Sequence, residues 1–322
     1  MIKIGIIGMG NVTWNVHLPV LLSRDDLEIT WVCDKYQDKR NVLKKKNIPF
    51  FENLEKATDF KKCDIALITV PYSEREKIFE QIKDNCSGIF FEKPFAMTLD
   101  QHEYFSNYFE NYAVTVGYQR RHMGIVKTIR NIINQKLFGS LVSVKINFGD
   151  IHYKFDGFRS EKEKSGGGIF FETGSHWIDT VLFTTQAKNI KNFKSNKKKI
   201  AELDIQCNGR FDIIDHQNQE FNCDFYMTNL ENTSNSIDYN FKNCSISLSL
   251  FDDDSNLKIN SSDNNDFIIK DNEFLNFPNK SLDVAYSFWD EFLSSFKNKN
   301  ESKISVNNFI LTTKIIELFY AE

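Results

Sequence analysis

A lysine and a histidine about eighty residues apart are the side chains whose types and settings suit proton chemistry in this chain. Lys93 lies in Phe91-Glu92-Lys93-Pro94-Phe95, at the end of an apolar run, where a cis peptide before Pro94 would give a specially shaped turn. His176 follows Gly166-Gly167-Gly168-Ile169-Phe170-Phe171-Glu172-Thr173-Gly174-Ser175. Its imidazole, with an intrinsic pKa of about 6.5, is suited to taking a hydroxyl proton near neutrality. Glu172, His176 and Asp179 fall at i, i+4 and i+7, so a helix over 172–183 places all three on one face. Together these residues supply the proton-handling groups that alcohol oxidation needs. Singly, Lys93 reads as a surface lysine with a snorkelling stem, and His176 as a structural helix histidine.

A nucleotide turn precedes them. In Ile4-Gly5-Ile6-Ile7-Gly8-Met9-Gly10-Asn11-Val12-Thr13 an apolar strand turns into a helix at Gly8 and Gly10. The first glycine makes the tight turn, the second lets backbone approach a pyrophosphate, and the helix opened by Asn11 and Val12 offers that group its positive end. Thr13 stands where the full glycine fingerprint has glycine or alanine. Asp34, about twenty residues on at the end of the second strand, can accept from the ribose hydroxyls and repel a 2'-phosphate. NAD is therefore preferred, with NADP disfavoured rather than forbidden, because Lys35 could partly neutralise the site.

The elements that must position these residues follow from hydrophobic period. Ile2–Ile7, Glu28–Cys33, Asp64–Val70, Gly88–Phe91 and Ala113–Val116 read as strands separated by helix-length segments, which implies crossovers and a parallel, doubly wound sheet. After residue 140, Val142, Val144, Ile146 and Phe148 alternate with polar residues, as do Phe221-Cys223-Phe225 and Ile246-Leu248-Leu250, which is the period of strands buried on one face. Ser261 to Asp266 reads as a polar turn. Two amphipathic helices close the chain, one with Phe288, Trp289, Phe292, Leu293 and Phe296 on one side, the other with Ile310, Leu311, Ile315 and Leu318. The expected division is an α/β domain over 1–118 and an α+β domain with a large, mostly antiparallel open sheet over 119–322.

Bulk properties narrow the function classes. At 322 residues the chain suits two domains, and a net charge of -4 offers no basic field for phosphate backbones, which argues against nucleic acid as a partner. Lysine runs at 44–46 and 197–199 read as solvated helix or loop surface. Six scattered cysteines without a C-x-x-C pair suggest neither a zinc site nor a disulfide framework. With no apolar leader before Ile2 and no membrane-length apolar run, a cytoplasmic protein is expected.

The order of Gly8-Met9-Gly10, Glu92-Lys93-Pro94 and the Gly166–His176 stretch resembles the Gfo/Idh/MocA family of NAD(P)-dependent sugar and polyol dehydrogenases. The resemblance rests on motifs in the first 185 residues. It implies a Rossmann domain binding NAD through Gly8, Gly10, Asn11, Val12, Asp34, Val70, Pro71, Glu92 and Lys93, with Lys93 pointing into an interdomain cleft to stabilise an alkoxide. It implies catalytic roles for Lys93, His176 and Glu172, the last standing where the family has aspartate. Gly117-Tyr118-Gln119-Arg120-Arg121-His122 and Phe158-Arg159 are similar to family segments near substrate. That makes Gln119, Arg120, Arg159 and Asp179 substrate candidates, although an arginine pair at a domain junction serves equally as a salt bridge and Asp179 suits orienting His176. Arg75 occupies a position where the family commonly has histidine.

No metal is needed in this reading, since Lys93 supplies the positive charge. The expected activity is hydride transfer between NAD(H) and a secondary alcohol or ketone of a sugar, polyol or sugar derivative, in a homodimer or homotetramer. The alternatives are a nucleotide-sugar dehydrogenase or reductase of surface-glycan biosynthesis, and a catalytically silent NAD-binding sensor.

Overall fold

The computed structural model describes residues 1–38, 40–250, 256–261, 266–270, 281–298 and 306–321. Two compact units emerge: Met1–Phe95 with Asp100–Gly117 and Ser281–Asn308, and Ala96–Leu99 with Tyr118–Lys280 and Phe309–Glu322. The units do not follow a single cut near residue 118. The helix Ser281–Asn298 returns to the first unit because its aromatic stripe finds its partners there. Phe288, Trp289 and Phe292 are buried, with ring centroids 4.8, 4.7 and 5.8 Å from Phe90.

In the first unit, strands β1 (Ile2–Ile7), β2 (Leu27–Cys33), β3 (Phe50–Phe51), β4 (Ile65–Ile68), β5 (Gly88–Phe91) and β6 (Ala113–Val116) form one sheet in the order β3-β2-β1-β4-β5-β6. Every pairing is parallel. Parallel sheets are covered on both faces, which is why these strands read as continuous Ile, Val, Leu and Phe runs. Ile65, Ala66, Leu67 and Ile68 are all fully buried. The order reverses between β1 and β4, and ligands of open α/β sheets sit at the carboxyl ends of the strands beside such a reversal.

The second unit contains an eight-stranded sheet of β7 (Leu141–Gly149), β8 (Ala187–Ile200), β9 (Leu203–Asp215), β10 (Glu220–Thr228), β11 (Ser236–Phe241), β12 (Cys244–Ser249), β13 (Asn256–Ser261) and β14 (Asp266–Lys270). Its order is β14-β13-β12-β11-β7-β10-β9-β8, antiparallel except for the β7–β10 pair. Val144, Ile146 and Phe148 face the core as their alternation requires. Val142 does not: it is 54% exposed and Leu141 is buried instead, because the β7–β11 register shifts between Asn240 and Phe241. The interior of the expected turn between β13 and β14, residues 262–265, lies outside the described residues.

Two further expectations are corrected by packing. Lys197–Lys199 belong to β8, the edge strand, where lysine blunts edge-to-edge pairing. The last helix, Ile310–Ala321, buries Thr312, Ile315, Ile316 and Phe319, leaving Ile310 42% exposed. Phe319 stacks on Phe170 with centroids 3.9 Å apart, which sets the buried face. Among the described residues, no helix is long and apolar enough to cross a membrane.

Candidate active site

Gly8, Asp34, Val70, Pro71, Glu92 and Lys93 all follow the carboxyl ends of parallel strands and so share one edge of the first sheet. Gly8 has φ +97°, and a Cβ there would come within 2.8 Å of the Thr69 hydroxyl, so only glycine fits. A Cβ on Gly10 would meet nothing within 4 Å, which leaves its backbone open to a ligand. Residues 11–22 are helical, with a π-helical turn over Thr13–His17. Thr13, the departure from the fingerprint, is fully buried; its hydroxyl donates to Gly8 O (3.0 Å) and lies 2.6 Å from that of Thr69. It thus ties the turn to the start of the helix.

The Asp34 carboxylate accepts from Met9 N in that turn and from Tyr36 N (2.7 Å), which fixes it at the end of β2. Lys35 pairs with Glu74 at 3.2 Å, so its charge is directed to another partner. The open approach at Gly10, the turn at Gly8 and the anchored acid at Asp34 fit a dinucleotide, with the helix opened by Asn11 and Val12 beside its pyrophosphate.

At the end of β5 the backbone is held from several directions. The Lys93–Pro94 peptide is cis. Arg75, only 4% exposed, donates to the carbonyls of Lys93 (3.4 Å) and Pro94. Arginine in place of the family's histidine therefore grips the lysine's own backbone. Among the described residues, no group of three or more His, Cys, Asp and Glu could hold a metal ion.

The second unit carries the other candidates. Glu172 sits in a π-helical turn, Phe170–Gly174, that runs into the helix Ser175–Thr184 bearing His176 and Asp179. The uninterrupted helix expected over 172–183 is thus widened at its first turn, and the neighbours of these residues differ. Arg159 Nε lies 3.6 Å from Glu172 Oε2. His176 packs edge-on to Tyr118 with centroids 6.1 Å apart. Asp179 is 1% exposed, and its carboxylate accepts from Arg121 Nε (2.8 Å), Arg121 Nη2 (2.5 Å) and the Thr312 hydroxyl (3.1 Å). Those bonds occupy it in the interior of its unit.

Gln119 and Arg120 lie in a 3-10 turn, Gln119–His122, and the Arg120 guanidinium covers Trp177 at 4.6 Å. Burial lowers the Arg120 pKa to about 10, with Asp179 opposing, which leaves it charged at neutrality. Burial also lowers His102 to about 4 and His122 to about 3, so both are neutral packing residues.

The sequence reading missed three residues. Tyr153 lies near Glu172 and Thr173; burial first, and the Glu172 charge second, push its pKa upward. Asp204 and Tyr320 anchor the triple-glycine loop: Asp204 accepts from Gly168 N (2.9 Å), Phe170 N (2.8 Å) and Tyr320 Oη (2.7 Å). Burial raises the Asp204 pKa, and these donors pull it back. A charged residue between buried Leu203 and Ile205 was the available signal.

Several known proteins resemble this chain in sequence or in fold. A family model described as an oxidoreductase family with an NAD-binding Rossmann fold matches residues 2–119, and the GFO/IDH/MocA C-terminal domain matches residues 126–205. D-glucoside 3-dehydrogenase of Escherichia coli is 22% identical over 201 residues, covering 61% of this chain and 57% of that protein. The chain spans less than two thirds of the length of the curated relatives it matches. Among solved structures, an aldose-aldose oxidoreductase from Caulobacter crescentus complexed with glycerol has a TM-score of 0.83 at 13% identity, covering 99% of this chain and 96% of that one. An oxidoreductase from Agrobacterium radiobacter, in complex with NAD+, L-tartaric acid and magnesium, has a TM-score of 0.81 at 13% identity, with 99% and 95% covered. At these identities the solved structures establish the fold. The two matched domain models, spanning more than half of the residues, establish that the chain belongs to the Gfo/Idh/MocA family of oxidoreductases.

Proposed function

We propose that this chain is an NAD-dependent dehydrogenase or reductase acting on a secondary alcohol or ketone of a sugar, polyol or sugar derivative. The observation that carries the reading is the placement of Lys93 on the same carboxyl edge of the sheet as the Gly8 turn and Asp34. Bound nicotinamide supplies the hydride acceptor in oxidation and the donor in reduction. The chain's own groups handle the proton: His176 accepts it from the substrate hydroxyl, and the Lys93 ammonium stabilises the oxygen as negative charge develops. Glu172, Arg159, Arg120, Gln119 and Tyr153 offer mixed donors and acceptors suited to several hydroxyls. The similarity to proteins named as a glucoside 3-dehydrogenase and an aldose-aldose oxidoreductase supports this substrate class.

A homodimer or homotetramer is the proposed assembly. The sheet face opposite the core carries Lys145, Asn147, Arg210, Asp224, Asp238 and Asn240, with Arg210 and Asp224 paired at 2.6 Å. An assembly formed through that face would be joined by polar pairs rather than by apolar burial.

The test is NADH formation across a panel of polyols, sugars and nucleotide-sugars. Turnover of one or more sugars or polyols is expected. NADH binding with no turnover on any of them would replace the enzyme by an NAD-binding sensor, and turnover confined to nucleotide-sugars would move it to glycan biosynthesis.

Asp34 sets the cofactor preference in the same reading. Replacing it with alanine removes charge-assisted bonds to the ribose worth about 1.5–3 kcal/mol, so NADH affinity should fall by about ten- to a hundredfold. NADPH affinity should stay level or rise. Fluorescence titration of both cofactors checks this; a wild-type protein that binds NADPH more tightly than NADH would remove the assignment.

A further inference from the structure

His17, Trp289 and Glu92 form a buried relay in the first unit that the proposed chemistry does not use. The His17 ring is 4% exposed and lies edge-on to Phe90 and Trp289, with centroids 5.0 and 5.9 Å away. Its Nε2 is 2.9 Å from Glu92 Oε1, and its Nδ1 is 3.1 Å from Trp289 Nε1. An indole nitrogen is only ever a donor, so Nδ1 is the acceptor. The His17 proton therefore sits on Nε2 and is donated to Glu92. Three distant parts of the chain thus converge: the helix after the glycine turn, the end of β5, and the helix Ser281–Asn298.

Glu92 has little room to move. A Cβ on Gly117, just past β6, would lie 2.9 Å from both Glu92 carboxylate oxygens, so the carboxylate rests directly on that backbone. Its own amide donates to Ile68 O (3.1 Å). On the other side, Arg75 grips the carbonyls of Lys93 and Pro94. Lys93 thus sits between a residue fixed through its side chain and a residue fixed through its backbone.

We infer that His17, held in its Nε2–H tautomer by Trp289, is a positioning residue that sets the Lys93 amine through Glu92. The inference rests on the reading of Lys93 as a catalytic group. Its consequence is that the helix Ser281–Asn298 is part of the apparatus around the lysine, through one indole N–H.

The test compares His17→Gln, which keeps a donor for Glu92 and an acceptor for Trp289, with His17→Leu and with Trp289→Phe, which keeps a ring on Phe90 but loses the donor. Competitive acetylation of Lys93, read by mass spectrometry against exposed Lys145, reports the amine's setting independently of turnover. In His17→Leu, Lys93 labelling should change about threefold or more and kcat should fall about tenfold, with the NADH Kd within about twofold, since misplacement by a fraction of an ångström costs rate rather than cofactor binding. His17→Gln should restore labelling and kcat, and Trp289→Phe should shift labelling in the same direction as His17→Leu.

A folded His17→Leu protein with unchanged Lys93 labelling and kcat would overturn the inference. Where His17→Leu does not fold, unchanged labelling in Trp289→Phe would overturn it equally. A labelling shift in variants of a protein that turns over no substrate would uphold the positioning role and defeat the dehydrogenase reading instead.

Discussion

Lys93→Met and His176→Asn should each lower kcat by about 10² to 10⁴-fold, the usual weight of one acid–base or electrophilic group, while NADH affinity stays within about threefold of wild type. Methionine keeps most of the lysine stem and removes only the charge, so the turn gripped by Arg75 should persist. Asparagine keeps a hydrogen-bonding group on the helix Ser175–Thr184 but cannot take a proton. If both residues serve one proton transfer, the double variant should be about as slow as the worse single one, because groups that act as a unit are not additive. Steady-state and single-turnover rates on the best substrate of the panel decide the matter. Near-normal turnover in either variant would remove that residue from the mechanism.

The sequence revealed most where one physical rule governs many residues. Burial on both faces makes parallel strands continuous apolar runs, so β1, β5 and β6 were legible end to end. β3 was not, because Phe50–Phe51 are too few to show a period. β8 was hidden by its place at the edge: nine of its residues are exposed, and its lysines report solvent rather than pairing. Site residues at strand ends could be placed from the glycine turn and the strand count.

The helix residues were harder, since the spacing of Glu172, His176 and Asp179 promised one face and the π-helical turn altered it. Asp179 turned out to belong with Arg121, a pairing that no spacing argument could supply. His17 and Trp289, 272 positions apart, show the limit most plainly: their contact exists only because the helix Ser281–Asn298 returns to the first unit.

Gly168→Ala should be the most damaging single methyl group in the second unit. A Cβ at that position would lie 2.1 Å from the carbonyl oxygen of Asp204 and 2.5 Å from its amide nitrogen, well inside contact distance and against backbone that cannot rotate away. The loop cannot easily shift, because the Asp204 carboxylate binds Gly168 N and Phe170 N and is itself held by Tyr320. Relief therefore requires breaking those bonds or moving β9, at a cost of about 3 kcal/mol from overpacking alone. For a unit of this size that corresponds to a fall in Tm of about 6–12 °C.

Activity should fall further than stability requires, since the loop leads directly into the turn bearing Glu172 and the helix bearing His176. Asp204→Asn separates the two effects. It leaves the space unchanged but turns one acceptor into a donor facing other donors, which should cost about 1–3 kcal/mol through the lost bonds. Calorimetry on both variants, with kcat measured well below either Tm, gives the comparison. If Gly168→Ala melts within a degree or two of wild type, the loop is not clamped as described, and Asp204 would no longer account for the placement of His176.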